Sequence, residues 1–257
     1  MNGRDDLADR IVRLDRGPDN PALIGSHHPD VIHFVRVMGG VTDTGSSQPT
    51  TSWAASQADK LVAECALLDR VERIAPEIVD GPLSVGAQFW TGTGKPSHVP
   101  PGERRLSRSH FVPVSANIAA STKPFGVGLF TSTGVSGGSS MWRAYLDRHE
   151  LMFPLPWWTW SVAIEPDIAV YEISSAARWV ELVSCWPVWH NGLRYPDWAA
   201  IAARYDAVHV TMRAIVAAQG LCFRTSSGPV APPYWDVEST FWLRWRFASA
   251  ELVERLP

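Results

Sequence analysis

The sequence predicts an α+β fold of two packed, mainly antiparallel sheets with flanking helices, forming one domain over residues 31–257 after a polar lead-in at 1–30. Three observations predict it. Short β-branched and aromatic runs alternate apolar with polar side chains at the two-residue period of a strand. Helical segments are fewer than strands and do not alternate with them regularly, as a doubly wound parallel fold requires. No internal repeat or composition break marks a second domain.

Along the chain, "VIHFVRV" (Val31–Val37) sets Val31, His33, Val35 and Val37 on one face and Ile32, Phe34 and Arg36 on the other, a strand pattern. Trp53–Ile74 reads as a helix capped by Ser52, with Leu61, Cys65 and Leu68 at helical spacing. Residues 76–120 carry Gly, Pro and Ser punctuation and predict loops with one or two strands, at "AQFW" and "HFVPVS". "VGLFTST" predicts a strand running into a Gly/Ser turn, and "SMWRAYLDRH" a helix capped by Ser139 or Ser140. "WTWSVAIEPDIAVYEI" divides at Glu165-Pro166-Asp167 into two strands, and a helix follows from Ser175. "YPDWAAIAARYDAVHVT" predicts a short helix leading into a strand. "YWDVESTFWLRWRF" alternates sharply and predicts one long strand.

Hydrophobic residues at 46% and charged residues at 19% describe a globular chain with ample core. A net charge of -3 argues against a general electrostatic binder of duplex DNA, which needs many cationic contacts. Arg104, Arg105 and Arg108 leave a local anion-contacting patch open beside a plain solvated loop. Cys65, Cys185 and Cys222 are scattered and odd in number, so neither a zinc site nor a disulfide framework is expected. His27–His28 lacks a third ligand at sensible spacing, and no metal is expected. The N-terminus lacks an apolar signal core, and no run reaches membrane-span length. The expectation is a cytoplasmic protein with no membrane partner, or one delivered to a target cell without a cleavable signal. Thirteen tryptophans exceed what one ligand platform needs, so most are expected in the core.

The long aromatic strand carries two carboxylates. On a regular strand Asp236, Glu238 and Thr240 share one face, and two acids on one face call for solvent, a cation or a ligand. A strand histidine (His33), a hydroxyl-bearing strand (Thr131, Ser132, Thr133) and a late strand glutamate occur in that order. With these residues, "VIHFVR", "GVGLFTSTGVSGGSSMWRAY" and "DVE" resemble the three motifs of the ADP-ribosyltransferase superfamily, in the branch of poly-ADP-ribose polymerases and diphtheria toxin. The stretches "PDIAVYEISSAARWVELVSCWP" and "WDVESTFWLRW" are similar to uncharacterised actinobacterial-type proteins associated with that fold. The likeness spans residues 30–247 as scattered short motifs.

The resemblance implies NAD as substrate, bound in a cleft between the two sheets, and a toxin-like transferase. It implies Glu238 as the carboxylate that stabilises an oxocarbenium-like ribosyl centre, with Asp236 two residues before it toward the acceptor. It implies His33, Gly128, Phe130, Thr131, Ser132 and Trp142 as NAD contacts, with Phe130 and Trp142 as rings around nicotinamide. Two positions depart from the pattern: Phe130 stands where the His branch carries Tyr, and Asp236 where the Arg branch carries Glu or Gln. The acceptor, protein or nucleic acid, is left open. So are NAD glycohydrolase or RNA 2′-phosphotransferase chemistry on the same fold, and a non-catalytic binding module using Trp157, Trp158 and Trp160.

Overall fold

The computed structural model describes residues 68–69, 71–73, 76–94, 106–115, 118–135, 139–146 and 153–257. Their architecture is mixed α/β, with two sheets and a few short helices. Residues 68–69 and 71–73 are helical, where the predicted long helix ends; its remainder, the predicted strand at 31–37 and the lead-in lie outside the described residues. Leu68 and Val71 are buried there, as their helical spacing requires.

The strands of the large sheet are β1 (Gln88–Gly92), β2 (Leu129–Val135), β3 (Ser139–Ser140), β4 (Trp157–Ile164), β5 (Val170–Ile173), β8 (Ala207–Val210), β11 (Ser239–Trp242) and β12 (Phe247–Leu256). They run in the order β12-β4-β1-β2-β11-β8-β5, with β3 folded back on β2. All of its pairs are antiparallel except β5 with β8. A smaller sheet orders β6 (Pro187–His190), β7 (Leu193–Pro196), β10 (Gly228–Val230) and β9 (Phe223–Thr225), with β7 and β10 parallel. Asn191 and Gly192, both at positive φ, make the two-residue β6–β7 turn, an Asn-Gly hairpin.

Beyond the helical residues 68–69 and 71–73, the helices among the described residues are α1 (Pro76–Val79), α2 (Met141–Leu146), α3 (Ala176–Cys185), α4 (Trp198–Ala202) and α5 (Met212–Ala218). Four of their starts follow the capping rule. Ser140, Ser175, Asp197 and Thr211 accept from the backbone amides of Arg143, Arg178, Ala200 and Ala214. Helix α5 has no polar stripe to announce it, because Met212, Ala214, Ile215, Val216 and Ala218 are all buried. Helix α3 touches β5 of the large sheet and β7 and β10 of the small one. Its Trp179 indole donates to Ala231 O, fastening the two sheets around one core.

Register assigns the two faces of the large sheet. Tyr171, Val208, Phe241 and Phe130 lie side by side across β5, β8, β11 and β2 and belong to the main apolar core. The next row, Glu172, His209, Thr240 and Thr131, lies on the opposite face, because strand side chains alternate. His209, Thr240 and Thr131 of that polar row are buried as well; a second core of Leu106, Val162, Ala207, Trp242 and Phe247 covers this side of the sheet.

Two expected strands change. Residues 111–115 of "HFVPVS" are irregular: Pro113 has no amide to donate, Val112 O accepts from Gly128 N at 2.7 Å, and the Phe111 ring packs edge-on to Trp245. The long strand from Tyr234 is broken twice. Asp236 sits at φ 55 and Val237 N donates to Trp235 O, a tight three-residue turn that ends any regular alternation before Ser239. After Trp242 the chain turns again around Asp206, which accepts from Leu243 and Arg244 amides through its carbonyl and pairs with Arg244 and Arg246.

Candidate functional site

The break at Asp236 separates the two carboxylates that a regular strand would have placed together. The Asp236 carboxylate pairs with Lys123 Nζ at 2.9 Å, and Glu238 turns to the buried polar row. The expectation that both acids share one face is therefore corrected: positive φ at Asp236 reverses the chain between them.

Glu238 is fully buried and held from three directions. Its Oε2 accepts from Thr133 N at 2.9 Å, and its Oε1 from Thr133 Oγ1 at 2.8 Å. His209 Nε2 lies 3.0 Å from the same Oε1. On the far side of the ring, His209 Nδ1 is 2.5 Å from Glu172 Oε2, and Glu172 Oε1 accepts from Leu83 N at 2.9 Å. Burial by itself pushes the His209 pKa down, but hydrogen bonds to Glu172 and Glu238 and their negative charges outweigh it and lift it to about 9.

The chain of contacts continues across β2 into β1. Gln88 Nε2 donates to Thr133 Oγ1 at 2.9 Å, Thr131 Oγ1 donates to Gln88 Oε1 at 2.5 Å, and the Trp242 indole donates to Thr131 Oγ1 at 2.8 Å. Five strands or their approaches thus contribute to one hydrogen-bonded line: Glu172, His209, Glu238, Thr133, Gln88, Thr131 and Trp242. An unpaired polar group costs far more in a dry interior than in water, so this line fixes the register of the central strands.

Of the residues expected to contact a cofactor, Thr131 is spent inside that line, and Ser132 points to the other face, where its Oγ accepts from Trp142 N at 3.0 Å at the start of α2. Gly128, at φ 61, is required by packing: an added Cβ would lie 2.5 Å from Trp242 O and against the Phe241 ring. Phe130 stacks on Phe241 at 4.6 Å, and Trp142 stacks on Tyr145 at 5.1 Å. Both remain only partly buried, and Lys123 Nζ lies 5.6 Å from the Phe130 ring centre and 5.7 Å from that of Trp142. Phe125, 74% exposed, lies 6.0 Å from the same ammonium and opens this aromatic cluster to solvent. His33, and with it Arg36, lies outside the described residues.

Every described candidate thus lies on the large sheet or on segments packed against it, and none on the small sheet. The motif strands β2 and β11 are immediate neighbours in the middle of that sheet, with Thr131 on one face and Phe130 and Ser132 on the other. The residues that motif spacing missed are His209, Glu172, Gln88 and Lys123. "DAVHV" and "VYEI" show His209 and Glu172 as polar interruptions in otherwise apolar strands, the one signal that could have found them.

The three-tryptophan platform does not form: Trp157 is 2% exposed, its indole donates to Phe153 O, and the Arg143 guanidinium lies over its ring. Among the described residues no group of three His, Cys, Asp or Glu side chains is placed to hold a metal. No helix among them is long and apolar enough to cross a membrane. No family model, curated protein or solved structure matches the chain.

Proposed function

We propose that the chain is an NAD-dependent ADP-ribosyltransferase in which Glu238 is the catalytic carboxylate. The observation that carries the reading is the double hydrogen bond from Thr133 to Glu238, a hydroxyl-bearing strand locking a late glutamate. Two further features support it. The Phe130–Trp142 cluster, on the other face of β2, already accommodates a cation, the Lys123 ammonium, and the nicotinamide ring of NAD is itself cationic. The backbone is strained at Asp236, two residues before the glutamate, and such strain collects at functional sites.

In the reaction the bond between nicotinamide and the ribose carbon breaks, and nicotinamide leaves with the electron pair. Positive charge develops on the ribose, and Glu238 stabilises it through a ribose hydroxyl. The acceptor's lone pair forms the new bond to the ribose carbon, and its proton passes to solvent. Glu238 is sealed from solvent in this structure, so the reaction requires an opening that brings the ribose to its carboxylate.

The Lys123–Asp236 pair favours a second reading, NAD hydrolysis. With its carboxylate committed to Lys123, Asp236 is not a free base for a reluctant acceptor.

The test is nicotinamide release from NAD by purified protein, with and without candidate acceptors. The proposal expects release that Glu238→Gln abolishes while the variant stays folded at the assay temperature. Labelled macromolecule identifies transfer, and free ADP-ribose alone identifies hydrolysis. No release, together with no rise in melting temperature on adding NAD, would refute both.

A further inference from the structure

A carboxylate that stabilises positive charge must itself be ionised, and a buried one needs a partner to keep it so. Glu238 is 0% exposed, and the charged side chain against it is His209. Both ring nitrogens of His209 face carboxylate oxygens, at 2.5 Å and 3.0 Å. A neutral imidazole has one N–H and would turn a bare lone pair toward an anion; the imidazolium has a hydrogen for each side.

Register makes this arrangement rigid. Glu172 pairs with His209 across parallel strands β5 and β8, and His209 pairs with Thr240 of β11, two residues beyond Glu238. The titratable groups facing the ring are Glu172 from β5 and Glu238 at the head of β11; β11 otherwise presents uncharged Thr240 opposite it. The burial is graded: side-chain exposure is 29% at Glu172 and 0% at His209 and Glu238.

We propose that His209 and Glu172 are positioning residues for Glu238: Glu172 fixes the doubly protonated imidazole, which in turn holds Glu238 as an oriented anion. This rests on Glu238 being the catalytic carboxylate. The part-exposed Glu172 is the place to test it, because glutamine there removes the charge without opening the core.

Two measurements decide it. In the wild type, ¹⁵N shifts of the His209 ring should report both nitrogens protonated at pH 7, and in Glu172→Gln the ring should titrate at least one pH unit lower. With NAD as substrate, the alkaline limb of kcat should move toward neutral by the same amount in Glu172→Gln, with KM within twofold of wild type, and Glu172→Asp should restore much of the shift. A neutral His209 in the wild type overturns the assignment, and that spectrum needs no variant to fold. A folded Glu172→Gln whose limb does not move also overturns it. No nicotinamide release from the wild type sinks the transferase reading instead, a failure that the ring spectrum distinguishes.

Discussion

Replacing Glu238 with glutamine removes one charge and turns one acceptor into a donor at a point where three donors converge. In the native structure Oε1 accepts from Thr133 Oγ1 and His209 Nε2, and Oε2 from Thr133 N. If the amide oxygen takes the Oε1 position, its NH₂ meets the Thr133 N–H, a donor. If it takes the Oε2 position, its NH₂ meets the His209 N–H and a Thr133 hydroxyl that already accepts from Gln88. Either way a buried donor loses its acceptor, at about 1–3 kcal/mol, and a charge-assisted bond becomes a neutral one, at about another 1 kcal/mol. The expected loss is about 3 kcal/mol, or about 10 °C in melting temperature for a chain of this size. Urea unfolding at pH 7 measures it, and a double-mutant cycle with Thr133→Val isolates the shared hydrogen bonds, with a coupling of about 1 kcal/mol or more expected. A Glu238→Gln protein within about 0.5 kcal/mol of wild type would refute the buried network, since that is the scatter of an ordinary surface substitution. Activity assays of this variant therefore belong well below its melting temperature.

Two further outcomes follow from the same geometry. His209 titrates at about 9 in the folded chain against an ordinary 6.5. A raised pKa means the native state holds the proton more tightly. Its stabilisation is complete below pH 6.5 and fades as pH rises through 9, by about 3 kcal/mol at roughly 1.4 kcal/mol per unit. Denaturation midpoints between pH 6 and 9.5 should show this slope in the wild type and lose it in His209→Asn; parallel profiles would exclude the imidazolium. Gly128→Ala should cost about 3 kcal/mol or more, because the new methyl meets Trp242 O at 2.5 Å with φ at 61. Thermal melting checks it, and an unchanged midpoint would show that β2 and β11 can separate there.

Elements whose instructions are local were legible. Ser175 announces its helix through its own side chain, and the Glu165–Asp167 break between strands is written in a proline, beside which Asp167 takes a left-handed conformation. The long strand from Tyr234 was misleading because alternation records only which side chains are buried. Trp235 and Val237 are buried in a turn just as they would be in a strand. The candidate site was legible in part. Glu238 and the Thr131–Thr133 hydroxyls stand out in the sequence, and Thr133 does hold Glu238. His209 and Glu172 did not stand out, because each is a single polar residue in an apolar strand until its neighbour across the sheet is known.

The sequence by itself determined the inventory: an α+β chain rich in tryptophan, a strand of hydroxyls, and a late acidic pair. It could do so because period, caps and breakers act over a few residues. Only the tertiary structure decided the partners. It set Asp236 against Lys123 and Glu238 against Thr133 and His209, 105 and 29 residues away in the chain. That choice depends on strand order and register, which arise from long-range packing, and on the left-handed conformation of the first acid, Asp236.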